Sequence, residues 1–319
     1  MSDKEQKIAI DVGSGFTQYT DGAKDGSLPS IVVPMPETVG FGANQIKDVI
    51  TIGGQTYLVG QDAYSYGDPD DRADTLSEDW AGSIPWQALF FSSVAKLVSN
   101  PNASLKVVTG LPQRLYVNKK DGLTRFLDQT HEFDVNGKQF KVTITSKVIP
   151  QAASALFLEA RSNQSVLQDS VGIIDIGTFT TGFTVMENGA YISHKSNGCS
   201  IGMSQLIKAF KTWLVREKGF SIDETKIPKI LMEKKFRFRG EMFEVAKEID
   251  QLAITVAQPM LDTINANWKG AGDLIVYVAG GGAPYFMHAI KTIIPHAQVM
   301  DDAFFAVVKG MHCYLESAA

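Results

Sequence analysis

The chain is predicted to fold as an α/β protein built from two halves of one duplicated design. The first observation is the stretch Ile8 to Gln18, where an apolar run closes on Asp11 and passes into the glycine turn Gly13-Ser14-Gly15. The second is its return as Ile173-Ile174-Asp175-Ile176-Gly177-Thr178-Phe179-Thr180, so that Asp175 lies 164 positions after Asp11 in a chain of 319 residues. The third is a further glycine turn, Gly280-Gly281-Gly282, directly after the apolar run Leu274–Val278. A strand ending in Asp-x-Gly is by itself an ordinary turn. Two copies, one near the start of each half, point to duplication.

The first half opens with a strand at 8–12, returning through the glycine turn as a second strand at Thr17–Asp21. Residues 22–79 read as loop-rich, with Pro29, Pro34 and Pro36 opposing regular helix. Within them Val49–Ile52 and Thr56–Gly60 flank Gly53-Gly54 as a hairpin. Asp68, Asp70, Asp71, Asp74, Glu78 and Asp79 form an acidic patch without calcium-loop spacing, as a solvated loop does. Apolar residues at helical spacing predict a buried helix over Trp86–Val98. A strand at Lys106–Gly110 and a charged helix at 113–128 follow. Phe133–Val135 and Phe140–Ile144 flank Asn136-Gly137, a type I′ hairpin signal. After Val148–Pro150, an alanine-rich helix at Gln151–Ala160 joins the halves.

In the second half a strand pair fills 172–187, with Asn188-Gly189 as a turn and Tyr191–His194 beyond it. Met203–Lys218 reads as an amphipathic helix and 219–240 as a connection. In that connection Lys234, Lys235, Arg237 and Arg239 interleave with Phe236 and Phe238. Such interleaving suits nucleic acid, but it also suits an edge strand with one wet and one buried face, the stronger of the two readings. Glu241–Asn267 is expected as one long helix kinked at Pro259. Helices at Tyr285–Ile293 and Phe304–Leu315 close the chain.

Composition narrows the function classes. A hydrophobic content of 44% and a charged content of 20% belong to an ordinary globular protein with ample core. The net charge of −5 opposes direct, non-specific nucleic-acid binding. Cys199 and Cys313 stand far apart, the usage of a reduced interior. The polar N-terminus is neither a signal peptide nor an amphipathic anchor, and no apolar run reaches membrane-spanning length. These features set the expectation of a cytoplasmic protein without a membrane partner.

The repeated motif has a definite chemistry. A strand holds its terminal aspartate rigidly, and that carboxylate can hold a metal ion through water. Glycines without Cβ let backbone approach a bulky anion, and successive N–H groups cup its oxygens. Gly13, Ser14 and Gly15 offer such donors, and Ser14 and Thr17 add hydroxyls. Two equivalent turns suit one polyphosphate clamped between the halves. Gly280, Gly281 and Gly282 offer a side-chain-free floor for a planar base or ribose, or equally a tight strand–helix corner.

Five segments in order resemble the actin, heat-shock-70 and sugar-kinase superfamily: the two Asp-Gly hairpins, the helix after Pro150-Gln151, the glycine turn and the closing helix. A narrower resemblance is to plasmid-segregation actins of the ParM/StbA type. It rests on Ile84-Pro85-Trp86-Gln87, Thr109-Gly110-Leu111-Pro112, Gly198-Cys199-Ser200-Ile201-Gly202, Val278-Ala279-Gly280-Gly281-Gly282-Ala283 and Val308-Lys309-Gly310-Met311. The resemblance implies a duplicated actin-like (ribonuclease H-like) fold, two lobes around a nucleotide cleft. Lobe I would be 1–150 plus 301–319, with a small subdomain at about 22–79. Lobe II would be 151–300, with a small subdomain at about 211–262.

By the same resemblance Asp11 and Asp175 hold Mg²⁺ through its waters. Ser14, Gly15 and Phe16 form the first phosphate loop, and Gly177, Thr178 and Thr180, with Phe179 among them, the second. Gly280, Gly281 and Gly282 form the nucleoside floor, and Gln151 positions the hydrolytic water. Many relatives carry a phosphate-contacting Lys where this chain has Gln18. The implied function is a filament-forming ATPase or GTPase that uses ATP or GTP with Mg²⁺. Its implied partners are further copies of itself and a DNA-binding adaptor of the ParR type, for plasmid segregation. The alternative within the superfamily is a small-metabolite kinase of the sugar or acetate type. That would need a base for the acceptor hydroxyl, and no remaining acid stands in an obvious motif for it.

Overall fold

The computed structural model describes residues 5–36 and 46–317. The first four residues of the polar N-terminus, and positions 37–45 of the segment read as loop-rich, lie outside the described residues. By internal packing the chain divides into two compact units, Met1–Ser162 with Val307–Ala319, and Asn163–Ala306.

The first unit begins with β1 (Gln6–Val12), β2 (Phe16–Thr20), β3 (Asp25–Pro29) and β4 (Val32–Pro34). Next come β5 (Val49–Ile52), β6 (Gln55–Val59), α1 (Gly60–Tyr66) and α2 (Ile84–Leu97). It continues through β7 (Ser104–Leu111), α3 (Gln113–Leu127), β8 (Thr130–Val135), β9 (Lys138–Pro150) and α4 (Gln151–Ser162). Its strands form one sheet in the order β3-β2-β1-β7-β9-β8-β5-β6-β4. β1, β7 and β9 run parallel. The apolar side chains of Ile8, Ile10, Leu105 and Val107 share a core with Trp86, Leu89 and Phe90 of α2.

The second unit holds β10 (Ser170–Ile176), β11 (Thr181–Glu187), β12 (Ala190–Cys199), α5 (Met203–Trp213) and α6 (Ile227–Glu233). It continues with β13 (Lys235–Phe238), β14 (Glu241–Glu244), α7 (Ala246–Trp268), β15 (Ile275–Ala279), α8 (Ala283–Ile290) and β16 (Gln298–Val299). Its main sheet has the order β12-β11-β10-β15-β16. This repeats the β3-β2-β1-β7-β9 order of the first unit, antiparallel on one side of the central strand and parallel on the other. The closing helix α9 (Ala306–Ser317) follows β16 in the chain, but from Val307 onward it packs in the first unit.

Several expected elements are corrected. The described part of 22–79 bears out the expected hairpin, as β5 and β6, but is more regular than expected elsewhere: it also carries β3, β4 and α1, with Pro29 and Pro34 ending short strands. The helix expected over Glu241–Asn267 starts only at Ala246. Glu241–Glu244 is instead a strand paired with Lys235–Phe238 through a turn at Arg239 and Gly240, both at positive φ. The 219–240 connection also contains α6. The helix at 203–218 changes after Trp213 to a π turn over Leu214–Lys218; α7 keeps Pro259 within it, as expected. Of the interleaved basic and aromatic residues, Lys235–Phe238 are a strand, with Phe236 buried against Phe220 and Phe243 and with Lys235 and Arg237 exposed, while Lys234 pairs with Asp250 at 2.7 Å. Asn136 and Gly137 both take positive φ, as a type I′ turn requires.

Candidate functional site

Each of the two units carries one of the aspartate hairpins. In the first, Asp11 pairs with Gln18 and Val12 with Thr17 across β1 and β2. In the second, Asp175 pairs with Gly182 and Ile176 with Thr181 across β10 and β11. All four pairs of the first recur in the second moved along by 164 residues. The turns match as well: Gly13 N–H donates to Phe16 C=O at 3.1 Å, and Gly177 N–H to Thr180 C=O at 2.9 Å. A Cβ on Gly13 would stand 2.8 Å from that Phe16 oxygen. Glycine is therefore required by the turn itself.

Each turn is braced from behind by a buried threonine at the same register position. The Thr17 hydroxyl lies 2.9 Å from the Ser30 hydroxyl, and Ser30 also bonds Gly13 C=O and Gly15 C=O. The Thr181 hydroxyl donates to Ile201 C=O at 2.7 Å. Thr17, read from sequence as a ligand donor, thus faces inward against Ser30. Ser30 and Thr181 were not singled out in the sequence, and nothing local marks them. The second turn is further held by Met203 and Ser204, whose N–H groups donate to Gly177 and Thr178 carbonyls. Ser14 and Gly15 are half-buried on the first turn, Phe16 is exposed, and Gly177, Thr178, Phe179 and Thr180 are half-buried on the second.

Asp11 is only 7% exposed, and Gln151, at the start of α4, donates its amide N–H to Asp11 Oδ1. Burial pushes the Asp11 carboxyl up from 3.8 to about 6, partly opposed by that hydrogen bond. With its nitrogen on Asp11, the amide leaves its oxygen for another partner, in the amide orientation the hydrogen bonds assign. The structure thus brings Asp11 and Gln151 together from positions 140 residues apart.

In the second unit Asp175 lies against the glycine corner, since a Cβ on Gly280 would be 2.5 Å from Asp175 Oδ1. Gly280 takes φ +85°, donates to Ala303 C=O, and Gly282 donates to Ile176 C=O. A Cβ on Gly282 would overlap Ile176, and one on Gly281 would stand 3.0 Å from the Phe304 ring. The triple glycine forms a tight strand–helix corner fitted against β10. Among the described residues no three acid, His or Cys side chains converge to cage a metal, the acidic patch at 68–79 included. Mg²⁺ does not demand such a cage: one or two carboxylates with waters and phosphate oxygens suffice. Asp11, held rigidly at a strand end beside a glycine turn, fits that limited donor set.

Parallel strands β1-β7-β9 and β10-β15-β16, each with an antiparallel hairpin carrying an aspartate and a glycine turn, define the actin-like class of duplicated α/β proteins. Comparison with known proteins agrees. The family model described as the actin-like proteins N-terminal domain matches residues 9–153, and that of the archaeal actin homologue MreB-like C-terminal domain matches 173–292. The chain belongs to the actin-like proteins.

Solved structures similar to it include the archaeal actin homologue Ta0583, at 19% identity and a TM-score of 0.78, covering 98% of this chain and 99% of that one. Another is a 15-stranded ParM filament from Clostridium botulinum, at 20% identity and a TM-score of 0.75, with the same coverage. A non-polymerisable quadruple mutant of pCBH ParM has 20% identity and a TM-score of 0.74, covering 98% of this chain and 100% of that one. Ta0583 has also been solved in complex with ADP, at 18% identity to this chain and a TM-score of 0.76, covering 98% and 99%. No curated protein matches the chain in sequence. No helix among the described residues is long and apolar enough to cross a membrane.

Proposed function

We propose that this protein is a Mg²⁺-dependent nucleoside triphosphatase, hydrolysing ATP or GTP, whose nucleotide state controls its assembly into filaments. The observation that carries this reading is the residue-for-residue repeat of the two aspartate hairpins, with Gln151 attached to the first aspartate. The N–H groups of Gly13, Ser14 and Gly15, and of Gly177, Thr178 and Thr180, supply donors for phosphate oxygens. Asp11 and Asp175 would hold Mg²⁺, and the ion would offset charge on the phosphates. The glycine corner at 280–282 gives the nucleoside a surface without side chains.

Gln151 does the positioning. A neutral amide is a poor base, but its carbonyl oxygen accepts a hydrogen bond from a water and so aims the water's lone pair. Phosphoryl transfer depends mainly on such alignment. Asp11 contributes twice in this scheme, by charge toward Mg²⁺ and by holding the Gln151 nitrogen so that the oxygen faces outward. Slow hydrolysis then acts as a timer on a polymer built by head-to-tail contacts, which extend without closing. Support for filaments comes from the family and from the similarity to a ParM filament. The finer reading, segregation of plasmid DNA through a DNA-binding adaptor of the ParR type, rests on the ParM-like motifs and on the acidic balance of the chain.

The test is light scattering and pelleting at tens of micromolar protein with Mg-ATP and with Mg-GTP, alongside phosphate release. Assembly that follows nucleotide and decays with hydrolysis is expected. Flat scattering with both nucleotides overturns the filament reading, and phosphate transfer to a small acceptor instead of water would establish a kinase.

A further inference from the structure

The bond to Asp11 is not the only restraint on Gln151. Gly110 lies in β7, paired with Ile149 of β9, without a positive φ. Its backbone therefore suits any residue, and only space excludes a side chain. A Cβ there would overlap the Met311 methyl, lie 2.7 Å from Gln151 Cγ and lie 3.3 Å from Gln151 Cα. The place of the missing side chain is thus shared by Met311 from α9 and the Gln151 stem from α4.

Met311 is fully buried, in a protein interior that is close-packed. Its helix is locked to α4 twice. The Ser154 hydroxyl is 2.7 Å from Gln151 C=O and 2.9 Å from Val307 C=O. A Cβ on Gly310 would overlap the Ser154 carbonyl, so the two helix backbones touch there. The first turn of α4 is fixed against α9, and the Gln151 stem runs between that turn and the flat strand at Gly110.

We infer that Gly110 and Met311 are positioning residues for Gln151: together they form a slot that sets the glutamine stem, keeping its nitrogen on Asp11 and its oxygen free for water. This rests on the proposed water-orienting role of Gln151. It also explains physically why glycine and methionine stand in the Thr109-Gly110-Leu111-Pro112 and Val308-Lys309-Gly310-Met311 stretches. An added methyl at Gly110 meets a buried thioether on one side and a half-buried amide stem on the other. The stem yields.

The test is a double-mutant cycle in the full chain. Gly110→Ala should lower phosphate release about tenfold or more while nucleotide affinity stays within about threefold, the split that loss of positioning produces. In the Gln151→Ala background, Gly110→Ala should cost almost nothing further, because its target is gone. Adding Met311→Ala to Gly110→Ala should restore part of the rate by reopening the slot. Wild-type rates in Gly110→Ala, or a full additional loss in the Gln151→Ala background, overturn the inference.

A second readout needs no activity. The Gln151 side-chain amide resonances, identified by their loss in Gln151→Ala, should move in nucleotide-free Gly110→Ala. If the wild-type protein hydrolyses nothing yet those resonances move, the slot stands and the proposed reaction falls. If they do not move, the slot falls whatever the activity.

Discussion

Asp11 and Asp175 occupy one register position in two hairpins, each beside a glycine turn braced by a buried threonine. Their surroundings differ. Asp11 is buried opposite Gln18, with its charge disfavoured and one oxygen on the Gln151 amide. Asp175 is half-buried opposite Gly182, with Oδ1 against the bare Gly280. Duplication has kept the backbone hydrogen bonds and let the side chains diverge. What this teaches is that the backbone repeat carries the shared task of binding. The departures mark the specialised one, since α4 starts with a glutamine and α9, which follows the corresponding strand, starts with an alanine.

The comparison breaks first if either aspartate is dispensable. Asp11→Ala and Asp175→Ala should each abolish nucleotide-controlled assembly and weaken Mg-nucleotide binding at least tenfold, checked by pelleting and by titration with a fluorescent nucleotide. A single sensitive aspartate would mean that only one hairpin works. Next in size, Gln151→Ala should slow phosphate release by about ten- to a hundredfold, at ~1.4 kcal/mol per tenfold, with binding spared and filaments outlasting those of the wild type. Normal release with normal disassembly would remove the asymmetry from the chemistry.

The third prediction concerns stability. The Asp11 carboxyl titrates near 6 in the fold against 3.8 ordinarily, so the folded state binds more protons between those values. Stability therefore falls as pH rises from about 4 to 6 and stays reduced above that window. The charge costs on the order of 3 kcal/mol at neutral pH. Asp11→Asn keeps the acceptor for Gln151 and removes the charge. In Mg²⁺-free buffer it should unfold at higher urea than wild type at pH 7.5, by up to about 3 kcal/mol, with the gap closing below pH 4. Equal gains from Asp175→Asn would show that the two environments are alike after all. Smallest, Gly310→Ala should cost roughly 1–3 kcal/mol by forcing α4 and α9 apart, read as a lower unfolding midpoint. No change there would mean that the helices separate freely.

Much of the site was legible because it is local. Asp11 with its glycine turn, the recurrence at Asp175, and Gln151 after Pro150 each sit within a dozen residues, where strand period and turn chemistry speak directly. The positive-φ turns at Asn136-Gly137 and Asn188-Gly189 were legible for the same reason. What escaped depends on partners far along the chain. β5 is short and pairs with β8, some eighty residues later, so nothing nearby declares it part of the large sheet. Glu241–Glu244 looked like the start of α7 because its residues suit helix, and only pairing with Lys235–Phe238 makes it a strand. Gly110 read as the end of a strand, and its meaning lies in Met311, two hundred positions on.

The path of α9 also has a consequence for biosynthesis. Until the ribosome has added residues 307–317, the first unit lacks the helix that fills the space over Gly110 and supplies the Val307 carbonyl to Ser154. The second unit, continuous from Asn163 to Ala306, is complete in sequence before that. Emergence order is therefore inverted for completion: the part that leaves the tunnel first is finished last. A chain cut after Ala306 would hold every residue of the second unit but a first unit without α9, with the Gln151 stem still without its slot.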